Sequence, residues 1–310
     1  MKKVAKTIFT FGLLLILIGV IILRRDSITT IFNTYFSSNN TKIDITDVNE
    51  YYRNYDFEFV QIIKEKEPSS YQDILNAYYT IINSGKYEYT FYCPKNGYDN
   101  CLNDVESIAN NQSLLSNINN YVHPYNQFSH IETEFDNLGK VTVTIERPYS
   151  TNDIKMINEK VNEIYKEIYN KNVSYEDNIK AFHDYIINNT KYDSDRSDNG
   201  VIRYKSDIAY GPLFQGYAIC GGYTDLMQLY LEKMNLKNYR VSSYMHVWNA
   251  VEIRDKWYHI DLTWDDPVAI DGTDRLSHDY MLIDSNKLLN LEKSQHNFDQ
   301  DIFIELKEAN

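Results

Sequence analysis

Cys220 stands where a reactive thiol is expected, at the start of a predicted helix in the stretch GYAICGGYTD (residues 216–225). The unpaired backbone N–H groups and the positive dipole end of a helix point at a sulfur placed there. Such a sulfur ionises more easily, and the thiolate is the nucleophilic form. We therefore predict Cys220 as a nucleophile; a buried structural cysteine at a helix start is the alternative that this stretch leaves open. The apolar residues that recur at helical spacing are Leu226, Met227, Tyr230, Leu231 and Met234.

The surroundings of Cys220 bear on how a substrate would be held. The small Gly221-Gly222 pair is expected to leave room for a substrate backbone. Attack on a carbonyl creates an oxyanion, which needs hydrogen-bond donors. The backbone N–H of Cys220 is one expected donor, and the side-chain amide of Gln215 is a candidate second donor. An ordinary loop glutamine is equally compatible with the sequence at that position.

A base and an orienting group are predicted on a downstream β-hairpin. Residues 246–253 and 257–264 have the period-2 alternation of strands, and residues 254–255 can form the turn between them. This register places His246 and Asp261 on one face, one diagonal step apart. Diagonal neighbours are ~7–8 Å apart at Cα, so the imidazole and the carboxylate can meet. The opposite face is apolar, which predicts a hairpin with one core side and one chemical side.

Cys220, His246 and Asp261 thus supply a nucleophile, a general base and an orienting carboxylate. His259 competes with His246, since it shares a face with Asp261. We predict His246 as the base because it opens its strand and is followed by Trp248, which is expected to wall the site. His259 is then expected to be structural.

Three motifs in order resemble the core of the transglutaminase-like superfamily: GYAICGGY at 216–223, HVWNAV at 246–251 and WYHIDLTWDD at 257–266. The segment HDYI at 183–186 and the Tyr192-Asp193 pair also resemble bacterial members. The resemblance covers about residues 174–285, with Val247 standing where many relatives have Ala. It implies a papain-like α+β fold, with Cys220 as nucleophile, His246 as base and acid, and Asp261 as orienting carboxylate. Bacterial relatives include peptidases, amidases and cross-linking enzymes, so the resemblance leaves the acyl acceptor open.

No metal or cofactor is expected from the sequence. His183 lies beside the apolar stripe of a predicted helix and is interpreted as structural. No set of histidines and cysteines has zinc-ligand spacing, and the Asp-rich segment after residue 264 fits no calcium loop. Residues 190–205 are polar and charged, and they are predicted to form a mobile loop near the site.

Residues 51–148 are predicted to form a small α+β accessory region. A weak helix is expected at 51–66, helical segments at 71–84 and 101–121, and a hairpin over 131–145. No catalytic constellation occurs there, so we interpret the region as a packing and positioning unit. The catalytic domain is predicted to occupy residues 149–310.

The amino-terminal 25 residues have the pattern of a membrane segment. Lysines at 2, 3 and 6 precede an uncharged run from Thr7 to Leu23 that is just long enough to span a bilayer core. We predict an uncleaved signal anchor at 1–25, because no clear small-x-small site follows the apolar run; a cleaved signal peptide is the alternative. Residues 26–50 are then a stalk. The expected location is a single-pass protein of the cell membrane with an extracytoplasmic catalytic domain.

Two of the three cysteines are predicted to be bridged. Cys93 and Cys101 flank a loop that contains the turn signal Asn96-Gly97, so the chain can double back. In an oxidising compartment such a pair usually forms a disulfide, which leaves Cys220 as the unpaired thiol. Three reduced cysteines are the alternative.

The charge balance excludes one class of partner. The formal net charge is −13, and no extended basic run could neutralise phosphates, so nucleic acid is not an expected partner. The sequence predicts a membrane-anchored cysteine enzyme that forms a thioester from peptide or protein amides at the cell surface or wall. The acyl group would pass to water, as in a protease or amidase, or to an amine, as in a transglutaminase. The alternative is a non-catalytic surface binding module that keeps the fold.

Overall fold

The computed structural model describes residues 41–267 and 276–307, together with Arg24. These residues form a mixed α+β structure, as the sequence predicts. The predicted membrane segment and most of the predicted stalk lie outside the described residues. Within the described part of the chain, no helix has both the length and the apolar character needed to cross a bilayer.

Serine residues begin three of the longer helices. The Ser70, Ser150 and Ser174 side chains accept hydrogen bonds from the backbone N–H groups three residues later, as N-caps do. At Ser150 the cap is reciprocal, because the Asp153 carboxylate also accepts from the Ser150 N–H. The helices are α1 (Tyr71–Asn83), α2 (Cys101–Ala109), α3 (Gln112–Asn119), α4 (Thr151–Ile168), α5 (Tyr175–Asn188), α6 (Ser194–Asn199), α7 (Cys220–Lys233), α8 (Leu262–Asp265) and α9 (Ser285–Leu291).

The strands form two antiparallel sheets and one short parallel pair. The three-stranded sheet has the order β1-β3-β2, the four-stranded sheet has the order β6-β7-β8-β9, and β4 pairs with β5. Arg254 and Asp255 link β7 to β8 with φ angles of 52° and 62°, which is the two-residue turn that the sequence predicts. The strands are β1 (Glu88–Tyr92), β2 (His130–Phe135), β3 (Lys140–Glu146), β4 (Lys191–Tyr192), β5 (Tyr217–Ala218), β6 (Asn238–Ser242), β7 (Val247–Ile253), β8 (Lys256–Ile260) and β9 (Met281–Ile283).

The helix predicted at residues 51–66 does not form. The backbone N–H groups of this segment bond instead to side chains of α1: Arg53 N to Asn83, Gln61 N to Asn76 and Ile63 N to Thr80, at 2.9–3.1 Å. The segment therefore runs as an extended strap along α1. The α2–α3 break at 110–111 and the β2–β3 hairpin follow the sequence prediction.

The hairpin β7–β8 has the predicted apolar side and the predicted side with His246 and Asp261, but the second side is buried as well. One face packs against α7 through Val251, Ile253 and Ile260. The other face carries Trp248 and Trp257, which belong to a second apolar cluster together with residues of the 43–145 region and the carboxyl-terminal segment. The accessory region and the chain end therefore cover the side of the sheet that bears the predicted chemistry.

A buried ion pair ties the strap to helix α7. The Arg53 guanidinium donates to Glu232 at 2.5 Å and to the Tyr121 carbonyl at 2.8 Å, and its side chain is only 2% exposed. The Asn238 side chain completes the set, accepting from Arg53 at 3.0 Å. The region before residue 148 thus packs against the helix that carries Cys220.

The predicted disulfide is present between Cys93 and Cys101, and both residues are buried. The double variant Cys93→Ser/Cys101→Ser is expected to lower the free energy of unfolding by about 2–3 kcal/mol, because the bridge restricts the unfolded chain over a short loop. Chemical denaturation of the oxidised and variant proteins measures this difference. Equal denaturation midpoints and slopes in the two proteins would contradict the predicted loss of stability.

Candidate active site

Cys220 is the first residue of α7, as the sequence predicts, and the residue is half-buried. The glycines after it serve a different purpose from the predicted one. A Cβ at Gly221 would lie 2.7 Å from the Asp207 carbonyl oxygen, and one at Gly222 would lie 2.4 Å from that of Ser206. The space beside Cys220 on this side is therefore filled by the chain's own backbone and not left for a substrate.

His246 and Asp261 meet as predicted. His246 Nε2 lies 2.5 Å from Asp261 Oδ2, and both side chains are buried. The pairing of Asn249 with Ile260 gives the predicted register. Asp261, however, is not a strand residue: β8 ends at Ile260, and Asp261 is the N-cap of α8. Its Oδ1 accepts from the backbone N–H groups of Thr263 and Trp264 at 2.9 and 3.3 Å.

Cys220 is hydrogen-bonded to His246. Because Nε2 of His246 faces Asp261, Nδ1 is the nitrogen available to the sulfur. Burial alone would raise the pKa of Cys220, but the hydrogen bond and charge of His246, the Val247 backbone N–H and the charge of Arg240 together lower it. The three side chains are thus arranged as nucleophile, base and orienting carboxylate.

The imidazole is held in its charged form. Burial alone would lower the pKa of His246, but the charge and hydrogen bond of Asp261, helped by Cys220, raise it to about 10. The pKa of Asp261 is held well below its ordinary value, since His246 and His296 outweigh its burial. A thiolate–imidazolium pair therefore exists from the lowered pKa of Cys220 up to about pH 10.

Because of this ion pair, Cys220 should be alkylated at a lower pH than an ordinary cysteine. Iodoacetamide labelling, followed across pH by mass spectrometry, should show a midpoint below the ~8.5 of an unperturbed thiol. His246→Gln should move the midpoint upward, because it removes the hydrogen bond and the positive charge that favour the thiolate. The exposed His130, changed to Gln, is the matched control. A midpoint at or above the unperturbed value in the native protein would contradict the ion pair.

Trp248 lies behind the imidazole, with the rings stacked at a centroid distance of 5.5 Å and an interplanar angle of 18°. It is 1% exposed, so it supports His246 from inside the protein. Its Nε1–H donates to His259 Nδ1 at 2.9 Å. Burial, aided by the positive charge of His296, lowers the pKa of His259 to about 3, so this ring is neutral.

The neutral His259 is linked by hydrogen bonds to the carboxyl-terminal segment. Its Nε2–H donates to Ser285 Oγ at 2.9 Å, and Ser285 donates to the Leu306 carbonyl at 2.9 Å. His259 therefore has the structural role that the sequence analysis expects. It anchors the tryptophan on which His246 rests.

His296 is the residue that sequence reasoning missed. Its Nε2 lies 2.9 Å from Asp261 Oδ2, and its Nδ1 lies 3.2 Å from both the backbone carbonyl and the carboxylate of Glu292. Both ring nitrogens therefore face oxygen acceptors. Asp261 is thus held between two imidazoles. The apolar residues that follow His296, among them Phe298, Phe303 and Leu306, are the sequence signal that this segment is buried.

His296 is predicted to position Asp261. His296→Phe keeps the ring that stacks on Tyr280 but removes a hydrogen bond to a charged group, which is worth about 1.5–3 kcal/mol. The expected result is a kcat lowered by roughly 10–100-fold with KM little changed. His296→Gln, which keeps one donor, should recover most of the loss. Rates normalised by titration of Cys220 would show no difference between the two variants if the role were only structural.

Residues 190–205, predicted as a mobile loop near the site, contain β4 and helix α6 and do lie near the site. The parallel pairing of Lys191 with Tyr217 and of Tyr192 with Ala218 fixes the segment beside Cys220. Burial raises the pKa of Tyr192, and the charge of Cys220 adds to this, which places the phenol near the sulfur. The side-chain amide oxygen Oε1 of Gln215 accepts from the Lys205 backbone N–H at 2.8 Å. The role of the Gln215 amide as an oxyanion donor remains a prediction.

Comparison with known proteins gives distant structural likenesses. No family model matches the sequence, and no curated protein matches it. The fold is similar to a solved structure described as a TGase (TM-score 0.33, 15% identity, 44% of this chain and 45% of that chain). It is also similar to a candidate cysteine protease from Cytophaga hutchinsonii (TM-score 0.28, 14% identity, 48% and 65%). The chain thus spans less than two thirds of either protein. Likenesses this distant concern the fold alone, and what this chain does has to be inferred from its own site.

Proposed function

We propose that the chain is a transglutaminase-like cysteine enzyme that forms a thioester from peptide or protein amides. The observation that supports this best is the set of Cys220, His246 and Asp261, with the thiol on a helix start and the imidazole bonded to a buried carboxylate. A thiol whose pKa is lowered by a neighbouring charged imidazole is an activated nucleophile, which is what the first step of acyl transfer requires.

The chemistry follows from these three groups. The Cys220 thiolate attacks the amide carbon, so a C–S bond forms while the carbonyl electrons move to oxygen. As the oxyanion collapses, the C–N bond breaks and the leaving amine takes a proton from His246. The acyl group is then held as a thioester. Neutral His246 next removes a proton from the acceptor, which attacks the thioester and releases the thiolate.

Exposed apolar side chains next to the site suit a peptide chain. Tyr244 and Met245 directly precede His246 and are 98% and 80% exposed. Ile202 and Phe214 are also exposed, and they lie on the segments that precede Cys220 in the chain. Side chains of a polypeptide substrate could pack on such residues on either side of the scissile amide.

The cellular setting is part of the same proposal. The amino-terminal segment has the pattern of a signal anchor, and a buried disulfide is typical of proteins outside the reducing cytoplasm. We place the catalytic domain on the outer side of the cell membrane, facing peptide or protein substrates of the surface or wall. A membrane-impermeant amine label on intact cells would react with this domain there, and failure to label would contradict the placement.

The reaction is tested with the full chain, purified in detergent, on glutamine-containing and general protein substrates. New amino termini identify a protease, ammonia release alone identifies an amidase, and incorporation of a primary-amine probe identifies a transglutaminase. Cys220→Ala is the control in each assay. If none of these products forms while the chain and Cys220→Ala bind the same surface polypeptide, the protein is a binding module.

A further inference from the structure

A second cluster of histidines and carboxylates lies apart from the Cys220 site. Lys180, His183 and Asp184 on α5 meet His278, which precedes β9. His183 Nδ1 and His278 Nε2 lie 3.1 and 2.6 Å from Asp184 Oδ1. One nitrogen or oxygen from each of these three residues lies within 4.8 Å of the others. The residues are far apart in sequence, so no ligand spacing could reveal them.

The hydrogen bonds of this cluster cannot all be satisfied by the protein. Lys180 Nζ lies 3.0 Å from His278 Nε2 and therefore requires a lone pair on that nitrogen. The same nitrogen is 2.6 Å from the Asp184 oxygen and there requires a proton. With a proton on Nε2 the contact with the Lys180 ammonium is repulsive, and without it the contact with the Asp184 oxygen is repulsive. A cation that accepts lone pairs from both imidazoles and the carboxylate would take the place of the ammonium and leave every remaining contact attractive.

The surroundings of His183 resemble those of a metal-bound histidine. Its ring is fully buried, and Nε2 donates to Asp265 Oδ2 at 3.1 Å. The other oxygen of Asp265 accepts from the Tyr280 backbone N–H at 3.0 Å. Nδ1, on the other side of the ring, faces Asp184 Oδ1 at 3.1 Å, and a bound metal would replace the proton between these two atoms. A metal-binding histidine almost always gives its other N–H to such a carboxylate.

We propose that His183 Nδ1, Asp184 Oδ1 and His278 Nε2 form a binding site for a divalent transition metal, of which zinc is the best fit. Two imidazoles and one carboxylate are a ligand set that zinc takes, with a fourth position left for water. The Lys180 side chain is 45% exposed, so its flexible stem can move the ammonium out to solvent when the metal binds. The ammonium is then a competitor of the metal.

The site is placed to stabilise the segment that carries the orienting carboxylate. Asp265 closes helix α8, which begins at Asp261, and its backbone carbonyl accepts from Ser277 N at 2.8 Å. Asp261 N in turn donates to the Tyr280 carbonyl at 3.1 Å. A metal on His278 would therefore tie α5 to both ends of the segment that holds Asp261. Its binding does not depend on the proposed acyl transfer.

The test is titration of the full chain with zinc chloride in competition with a chromophoric chelator. It is done in the Cys220→Ala background, because the thiol and His246 could themselves hold zinc. One equivalent should bind, and the melting temperature should rise with zinc. Cobalt(II) should give visible absorption bands of a tetrahedral nitrogen and oxygen site, without thiolate charge-transfer bands.

Ligand variants decide whether the bound metal sits in this cluster. His278→Ala and Asp184→Asn should weaken binding by at least about 100-fold. Lys180→Met should tighten binding, since the competing ammonium is gone, and His130→Ala is the matched control. Circular dichroism without metal checks that each variant folds. Absence of stoichiometric binding in both the parent and Lys180→Met would overturn the proposal, as would binding that survives Asp184→Asn.

Discussion

Replacing Cys220 with alanine should abolish turnover of every amide substrate, with kcat falling by about 10⁴-fold or more. The reason is that no other group in the described site can form the covalent intermediate. His246 and Asp261 are buried and act through the sulfur, and the two other cysteines are locked in a disulfide. The measurement is product formation by mass spectrometry, together with trapping of the thioester as a mass increase on the protein.

Two control variants separate the loss of chemistry from the loss of fold. Cys220→Ser keeps the size of the side chain, but its hydroxyl is not ionised by His246, so it should be as inactive as the alanine variant. Cys93→Ser/Cys101→Ser removes the other two sulfurs and should keep kcat. Full turnover by Cys220→Ala would exclude Cys220 as the nucleophile, whereas inactivity of the disulfide variant at a normal melting temperature would point to a role of Cys93 or Cys101 in the reaction.

The hairpin that carries the base could be derived from the sequence because local rules fix it. Alternation sets which residues share a face, and a two-residue turn at 254–255 sets the register. Together they place Asp261 beside His246 without any knowledge of the rest of the chain. The helix start at Cys220 follows in the same way from the apolar spacing after it.

The error at Asp261 has a local cause that alternation does not reveal. The pattern continues through Leu262 and Trp264, so the strand was expected to continue as well. Instead, the Asp261 side chain accepts hydrogen bonds from the N–H groups of Thr263 and Trp264, and helix α8 begins there. An aspartate can act as a helix cap within an alternating pattern, and its side-chain hydrogen bonds then override the strand preference.

Long-range contacts could not be derived. His296 reaches Asp261 across 35 positions of sequence, and His278 reaches Asp184 across 94. No period or motif links such residues. The chain end must pack on the four-stranded sheet to bring His296 to Asp261, and the segment before β9 must reach helix α5 to bring His278 to Asp184. The segment 51–66 does not form the predicted helix for a related reason, since its N–H groups bond to side chains of α1 and not within the segment.

Asp261→Ala is expected to lower kcat/KM by about 10⁴-fold, an effect comparable to removal of the aspartate from other acyl-transfer triads. The variant leaves His246 Nε2 and His296 Nε2 without their shared acceptor and removes the N-cap of α8. The pKa of His246 should fall from about 10, because the charge of Asp261 is the largest effect that raises it. The imidazolium then loses its proton at a lower pH, which shortens the pH range of the thiolate–imidazolium pair. The basic limb of the pH–rate profile should therefore move to lower pH.

Asp261→Asn separates the charge of this side chain from its geometry. The native carboxylate serves four donors, two imidazoles on Oδ2 and two backbone N–H groups on Oδ1, but an asparagine offers a single oxygen. Hydrogen bonds from charged donors are stronger than neutral ones, so that oxygen should stay with the imidazoles and the α8 cap should be lost. We therefore expect a smaller loss of kcat/KM than in Asp261→Ala, a lowered melting temperature and the same downward shift of the basic limb. An asparagine variant as inactive as the alanine variant, with an unchanged melting temperature, would mean that the oxygen caps α8 instead.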